Sequence, residues 1–436
     1  MVTQSDARGI DAVRVAALAE ERLDWRFKAL PPEAWGLTVA EYLATAPTLA
    51  DFGTPLLTLD AGAMAHNLRT MADWAAAAGV RLAPHGKTTM APALWRDQLE
   101  AGAWAITLAN LPQLRVARAF GVRRVLLANS LLDAAGLAWL AGELDADPEF
   151  SVSCWVDSVQ GVELMDRALR AAGARRPVHV QVELGGPGGR TGARDLDAAL
   201  DIARAAHAAD TLRLCGLGGY EAALAKDATA AGLATVEHYL EQLAALHDLM
   251  RAEGLLDQAD EVVLTAGGSA YFDQVARVLT PIARAHPDTC VVLRSGAYLV
   301  HDDGFYRSIS PLVRGAEGGE PLRSAMHGWA RVLSRPEDQL ALLDGGKRDF
   351  PYDLGLPEPQ LVRGADGPVA LTGTVTALND QHAFLRGAGD LAAVGAVVRL
   401  GLSHPCTAFD KWTLIPVLDD ADGADPRVVD LVRTFF

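Results

Sequence analysis

The sequence predicts an α/β protein, a closed (β/α)8 barrel followed by a second, mostly β domain. Three observations predict it. From residue 55 to about 295, short apolar runs alternate with Ala- and Leu-rich amphipathic segments, the pattern of a parallel sheet flanked by helices. Nine such runs occur, and leaving out the first gives eight from about residue 80 to 295, the number a closed barrel needs. After about residue 300 the helical runs fade, and short strands joined by Gly, Pro and Asp turns take over.

Residues 1–50 carry Trp25 and Trp35 around an "LPP" break and read as a mostly helical extension. Residues 51–60 hold the first strand, "PLLTLD". The barrel spans 61–300. Its strands read "VRLAPH" (80–85), "AWAITLAN" (103–110), "RRVLLANS" (123–130), "FSVSCWVD" (150–157), "PVHVQVEL" (177–184), "LRLCGLGGY" (212–220), "EVVLTAGGS" (261–269) and "CVVLRSGAY" (290–298). Helices are expected between them, for example over 62–79, 91–101, 111–119, 158–173 and 230–255. An open doubly wound sheet would carry a dinucleotide loop after its first strand, and "LDAGAMAHN" does not supply one. Residues 301–436 form the β domain, with strands in "PLRSAMHGWARVLSRP", "ALLDGGKRDF", "PVALTGTVTALND", "HAFLRG" and "GAVVRLGLSHPC".

Bulk properties narrow the function. A chain of 436 residues that is half hydrophobic and 22% charged suits a well-buried enzyme of two or three domains. A net charge of -16 argues against a nucleic-acid partner, which would need clustered Lys and Arg. The start "MVTQSDARGIDAVR" has no apolar h-region, and no apolar stretch is long enough to span a bilayer, so a cytoplasmic, non-membrane protein is expected. The four cysteines fit neither a disulfide framework nor a Cys-x-x-Cys zinc site. Cys154, Cys215 and Cys290 sit in apolar strands as inert thiols, whereas Cys406 does not.

Barrel chemistry lies at the C-terminal ends of the strands. The first barrel strand ends at His85-Gly86-Lys87. A lysine at a strand end is ordinarily a solvated surface residue. Aimed into a barrel mouth, it is a reactive amine that can hold a carbonyl compound as a Schiff base. Further along, "ELGGPGGRTGAR" brings backbone close to a ligand and presents Arg190, and "GLGGYEA" presents Tyr220 and Glu221. "TAGGSAYF" offers Gly267, Gly268 and Ser269 as a nest of N–H groups before a helix, a place for a phosphate dianion. A phosphorylated aldehyde held there and at Lys87 is pyridoxal 5'-phosphate (PLP), an electron sink that the protein positions. In the β domain, "GLSHPCTAFDKW" sets His404 and Cys406 two apart, on one face if the segment is an extended strand. An imidazole and a thiolate suit zinc, with water or substrate completing the shell, although a His-x-Cys pair also arises by chance. His382 in "NDQHAFL" reads equally as a polar turn residue.

The stretch from "PLLTLD" through "APHGKTTM" to "ITLAN" resembles the fold-type III PLP enzymes, in the D-serine dehydratase and D-threonine aldolase group related to alanine racemase. The resemblance runs over most of residues 54–300 and on through "LLDGGKRDF", "NDQHAFL" and "LSHPC". It implies Lys87 as the Schiff-base lysine, with His85 beside it, and "AGGS" as part of the phosphate cradle. It implies Arg190 near the cofactor's phenolic oxygen, with Tyr220 and Tyr298 in segments lining the PLP pocket. It implies His404 and Cys406 as a divalent metal pair, where cysteine at the second position favours dehydration over the aldolase's aspartate. His382 matches a family strand and is carried as a catalytic candidate. The first strand then belongs to the β domain. The expected activity is dehydration and deamination of a D-3-hydroxy amino acid such as D-serine, to a 2-oxo acid and ammonia. Retro-aldol cleavage, racemisation and non-catalytic PLP binding are the alternatives, and a homodimer is the expected assembly.

Overall fold

The computed structural model describes residues 9–314, 320–364 and 367–436; residues 1–8 of the expected extension lie outside the described residues. Each of the nine apolar runs contains a strand: β1 Leu56–Asp60, β2 Arg81–Leu82, β3 Ile106–Leu108, β4 Arg124–Leu127, β5 Ser151–Val156, β6 Val178–Glu183, β7 Leu212–Gly218, β8 Val262–Ala266 and β9 Thr289–Leu293. Strands β2 to β9 form one all-parallel sheet in the order β2-β9-β8-β7-β6-β5-β4-β3. Its two ends meet. The Trp104 N–H donates to the Leu82 carbonyl at 2.7 Å and the Thr107 N–H to that of Pro84 at 2.8 Å. The Thr107 hydroxyl adds a third bond, to the Ala83 carbonyl at 2.6 Å, and these bonds close the barrel.

The helices start where the sequence supplies caps. Asn110, Asp133, Ser158, Asp195 and Thr229 each accept the backbone N–H three residues on. Each such cap contributes on the order of 1 kcal/mol. Inside the barrel Ala83, Ala105, Val263, Cys290 and Val292 pack together with Trp104 against them. A second cluster, Leu126, Ala128 and Trp155, lies nearer the C-terminal ends of β4 and β5.

By its internal contacts the chain divides into two compact units. The barrel unit holds residues through Asp11, Ala72–Lys87 and Arg96–Gly296; the second holds Ala12–Met71, Thr88–Trp95 and Ala297–Phe436. The second unit adds β10 Met326–Glu337, β11 Leu340–Leu343, β12 Glu358–Gly364, β13 Gly367–Ala370, β14 Thr374–Leu378, β15 Ala383–Arg386, β16 Val397–Gly401, β17 Leu414–Leu418 and β18 Val428–Arg433. Its sheet runs β13-β12-β16-β10-β1-β17-β18, with β11, β15 and β14 extending from β10. Strand β1 lies inside this sheet, antiparallel to β10 and parallel to β17. The Trp329 indole N–H donates to the buried Thr58 hydroxyl at 2.8 Å, pinning β1 to β10.

The extension differs from the expected run of helices. From residue 12 to 51 it makes five short turns, Ala12–Ala16, Ala17–Glu20, Pro32–Ala34, Val39–Leu43 and Leu49–Asp51. The Pro31-Pro32 pair and left-handed Ala29, Gly36 and Ala46 interrupt any longer helix. The segment is tied to the second unit's sheet instead. Arg433 Nε donates to both Glu21 carboxylate oxygens at 3.1 Å, and the Val428 N–H donates to the Pro47 carbonyl at 2.8 Å. Among the described residues no helix is long and apolar enough to cross a membrane.

Two predictions follow from this packing. Gly216 in β7 has φ +148°, and a Cβ there would meet the Val263 carbonyl oxygen of β8 at 2.0 Å. Gly216→Ala therefore costs on the order of 1–3 kcal/mol in backbone strain, with the steric clash added. Thermal unfolding of the variant is expected at a clearly lower temperature. His327 in β10 is buried, and burial, with Arg399 nearby, pushes its imidazole down to about 3 from the ordinary 6.5. The unfolded chain takes up that proton near 6.5, while the fold refuses it until about 3. This residue thus removes about 1.4 kcal/mol of stability per pH unit as pH falls through that window. In urea titrations His327→Leu should show a shallower acid loss than the parent between those two pH values.

Candidate active site and metal pair

The barrel unit gathers its chemistry at the C-terminal ends of the strands. Lys87 sits half-buried in the tight turn Gly86–Thr88 that follows β2. His85, two residues earlier, has a buried Nδ1 with no hydrogen-bond partner among the described residues. Burial, reinforced by the positive charges of Lys87, Arg294 and Arg190, holds its imidazole well below the usual range, so the ring is neutral at pH 7. The Arg190 guanidinium lies over the Tyr220 ring, 5.2 Å from its centroid.

Gly267 and Gly268 do form an anion-binding nest, and a protein carboxylate faces it. Glu221, fully buried, accepts the Gly267 N–H at 3.0 Å and the Gly268 N–H at 2.7 Å. Gly268 itself is a close approach, since a Cβ there would stand 3.2 Å from the Tyr220 ring. Ser269 follows the nest and leads into the helix Phe272–Ala285.

Sequence reasoning missed two charged residues in this mouth. Arg294, just past β9, is 1% exposed. It donates to the Thr265 hydroxyl at 2.7 Å and the Gly219 carbonyl at 2.5 Å, and stacks on Trp155 at 4.9 Å. Glu183, the last residue of β6, accepts the Thr191 hydroxyl at 2.7 Å and leaves its other buried oxygen without a partner. Burial raises its carboxyl above the ordinary range against the pull of Thr191. The signal was a charged residue ending each of two apolar runs, "VEL" and "VVLR". Glu221, read with Tyr220 after β7, is fully buried.

The second unit carries the predicted metal pair, with a correction to its backbone. His404 and Cys406 do not lie on an extended strand. Strand β16 ends at Gly401, His404 takes a left-handed φ of +51°, and Pro405–Phe409 make one helical turn. Proline at the first helical position starts the turn that the strand reading overlooked. The two side chains still meet. Burial disfavours charge on His404, but bonds to Cys406 and Asp353 outweigh it and raise its imidazole to about 9.

Asp353 Oδ2 takes His404 Nδ1 at 2.5 Å, and its other oxygen takes the Thr407 hydroxyl at 2.7 Å. Cys406 Sγ lies 3.4 Å from the Thr88 hydroxyl, and Asp302 accepts the His404 backbone N–H at 2.9 Å. His382 is elsewhere in this unit, exposed at the turn between β14 and β15, where its carbonyl accepts the Asn379 N–H. Tyr298 is buried and also belongs to this unit.

The donor sets fit the two groups that the sequence implies. A half-buried amine beside a neutral, unpartnered His85 nitrogen and an arginine over a tyrosine suits a flat, anionic pyridine aldehyde. Lys87, His85, Arg190 and Tyr220 would hold it. Its phosphate would meet a nest whose first two N–H groups already carry Glu221. For the metal, a carboxylate on Nδ1 orients the ring and leaves Nε2 to bind beside the Cys406 sulfur, a soft pair suited to zinc. Asp353→Asn should weaken zinc binding on the order of 10–100-fold, as removal of such an orienting partner does elsewhere. Metal content after dialysis against graded chelator measures this.

Residues 59–274 match the alanine racemase N-terminal domain family, and residues 325–418 match the serine dehydratase domain family. The chain is 27% identical over 368 residues to a 3-hydroxy-D-aspartate aldolase of Paracoccus denitrificans, covering 83% of this chain and 88% of the relative. It is 27% identical over 397 residues to the D-threo-3-hydroxyaspartate dehydratase of a Delftia species, covering 86% and 97%. Among solved structures, D-threonine aldolase from Filomicrobium marinum superposes with a TM-score of 0.73 at 27% identity, over 89% of this chain and 97% of that one. With its lysine-bearing parallel barrel and a β domain built around β1, the chain belongs to the fold-type III PLP-dependent enzymes.

Proposed function

We propose that this PLP-dependent lyase removes the β-hydroxyl and the amino group of a D-3-hydroxy amino acid, of the D-serine or D-3-hydroxyaspartate kind, giving a 2-oxo acid and ammonia. The observation that carries the reading is the His404–Cys406 pair with Asp353 behind it. A racemase or a PLP carrier has no use for a metal-binding pair, whereas a leaving hydroxide does.

When bound at Lys87, PLP supplies the sink that takes up the electron pair left at Cα. When bound at His404 and Cys406, a zinc ion supplies Lewis-acid polarisation of the β-hydroxyl. The chain's own residues do the rest. Lys87 Nζ moves the Cα proton. His85, held neutral, gives the cofactor an uncharged neighbour. Arg190 and the buried Arg294 keep the mouth electropositive, which favours a carboxylate substrate. Asp353 aims His404, and Asp302 fixes its backbone.

Retro-aldol cleavage is the second reading, and the aldolase relatives favour it. It uses the same parts: the hydroxyl loses its proton and the Cα–Cβ bond breaks, giving glycine and an aldehyde. Purified protein loaded with PLP and zinc is incubated with D-serine, D-threonine and D-threo-3-hydroxyaspartate. A 2-oxo acid with ammonia is the expected outcome; glycine with an aldehyde would sink the dehydratase reading. Lys87→Ala should lose the borohydride-trapped pyridoxyl tag at that position. Cys406→Ser should lower both zinc content and elimination while PLP stays bound.

A further inference from the structure

The N-terminal face of the barrel, opposite the strand ends that carry Lys87 and Arg190, has a cavity of about 460 Å³ that the chemistry above does not use. It is built from the starts of the strands. Arg124 opens β4, Ser151 opens β5, His179 and Arg213 stand second in β6 and β7, and Glu261 precedes β8. Trp104, from the loop before β3, forms a wall. In barrels this face ordinarily serves stability and stays packed. A cavity large enough for a metabolite is therefore unexplained by the fold.

Its lining points to an anion. The Trp104 indole N–H is buried with no hydrogen-bond partner among the described residues. The Arg124 guanidinium lies over the Trp104 ring at 4.6 Å from the centroid and has no carboxylate partner among the described residues. The Arg213 side chain bonds only a backbone carbonyl, that of Gln258 at 2.8 Å. Arg81, 5.9 Å from the Trp104 ring centroid, is already paired with Glu261 at 2.6 Å. Arg124, Arg213 and Arg176 all press on His179 electrostatically, against the single carboxylate of Asp260. With Glu261 taken up by Arg81, the lining sets Arg124 and Arg213 against the one remaining carboxylate, Asp260.

We propose that this cavity is a second ligand site, for a small organic carboxylate. The forked guanidiniums of Arg124 and Arg213 match a planar carboxylate, and the Trp104 ring forms the wall beside them. The volume exceeds what an inorganic anion fills. Two sources share this chemistry: a 2-oxo acid, and an amino acid whose ammonium would turn to Asp260.

The test follows the Trp104 indole N–H resonance in the intact holoprotein, assigned with Trp104→Phe. Pyruvate, glycine and inorganic phosphate are titrated separately. A saturable shift with pyruvate or glycine is expected, the tighter of the two naming the source. Arg124→Ala and Arg213→Ala should each weaken that binding at least about tenfold, the loss of one charge-assisted fork, with kcat/KM unchanged. No shift with either carboxylate overturns the proposal. So does a response to phosphate equal to that of pyruvate, or binding that survives both substitutions. A different outcome in the product test of the catalytic reading leaves this result untouched.

Discussion

A guanidinium with almost no exposed surface, inside the mouth of the barrel, is the constraint on which the catalytic end depends. Taking the charge of Arg294 out of water costs several kcal/mol unless the surroundings return it. The surroundings come from two strands and the loop that follows a third. Trp155 of β5 gives a ring face, Gly219 after β7 a carbonyl, Thr265 of β8 a hydroxyl, and Glu221 the nearest opposing charge. Each of those positions is therefore fixed by Arg294 as much as by its own strand. The same charge acts on His85 and helps keep its ring neutral. The mouth is organised around a permanent cation before any ligand arrives.

That cation accounts for Glu221. A fully buried carboxylate needs donors around it, and here the Gly267 and Gly268 N–H groups supply them, with Arg294 as the neighbouring cation. The nest read from "AGGS" is an anion site, as the glycines suggested, but its first two donors serve an internal anion. A phosphate arriving at this loop either uses donors beyond Gly268 or displaces Glu221. Displacement would strand a carboxylate near Glu183, whose burial already raises its carboxyl. The first arrangement costs less.

Much of this was legible in the sequence because barrels obey periodic rules. Nine apolar runs gave nine strands, and Lys87, Arg190 and Tyr220 lie in the segments that follow the C-terminal ends of β2, β6 and β7. Strands β12, β17 and β18 were not read. Pro359 and Pro416 sit inside the first two, where proline argues against a strand, and their places in the sheet are set by pairing rather than by local pattern. Arg294 and Glu221 looked like ordinary strand-end charges, and only tertiary packing shows that they are buried. Asp353 lies 51 residues from His404, a partnership no spacing rule encodes.

The metal pair has a local signature that helps decide what it is. His404 is one of five non-glycine residues with positive φ among the described residues, and a non-glycine backbone there stores on the order of 1 kcal/mol or more. A packing residue gains nothing from that conformation. Here the fold over-determines it. Asp302 holds the backbone N–H, and Asp353 holds the ring nitrogen. Asp302 is itself fully buried, and burial raises it to about 6 even though it accepts four backbone N–H groups. A loop held by a buried acid on a histidine's backbone and an exposed one on its ring is built to present the remaining nitrogen. With the Cys406 thiol beside that ring, a soft divalent cation is the ligand that uses both atoms at once, and a β-hydroxyl is the substrate group such a cation would loosen.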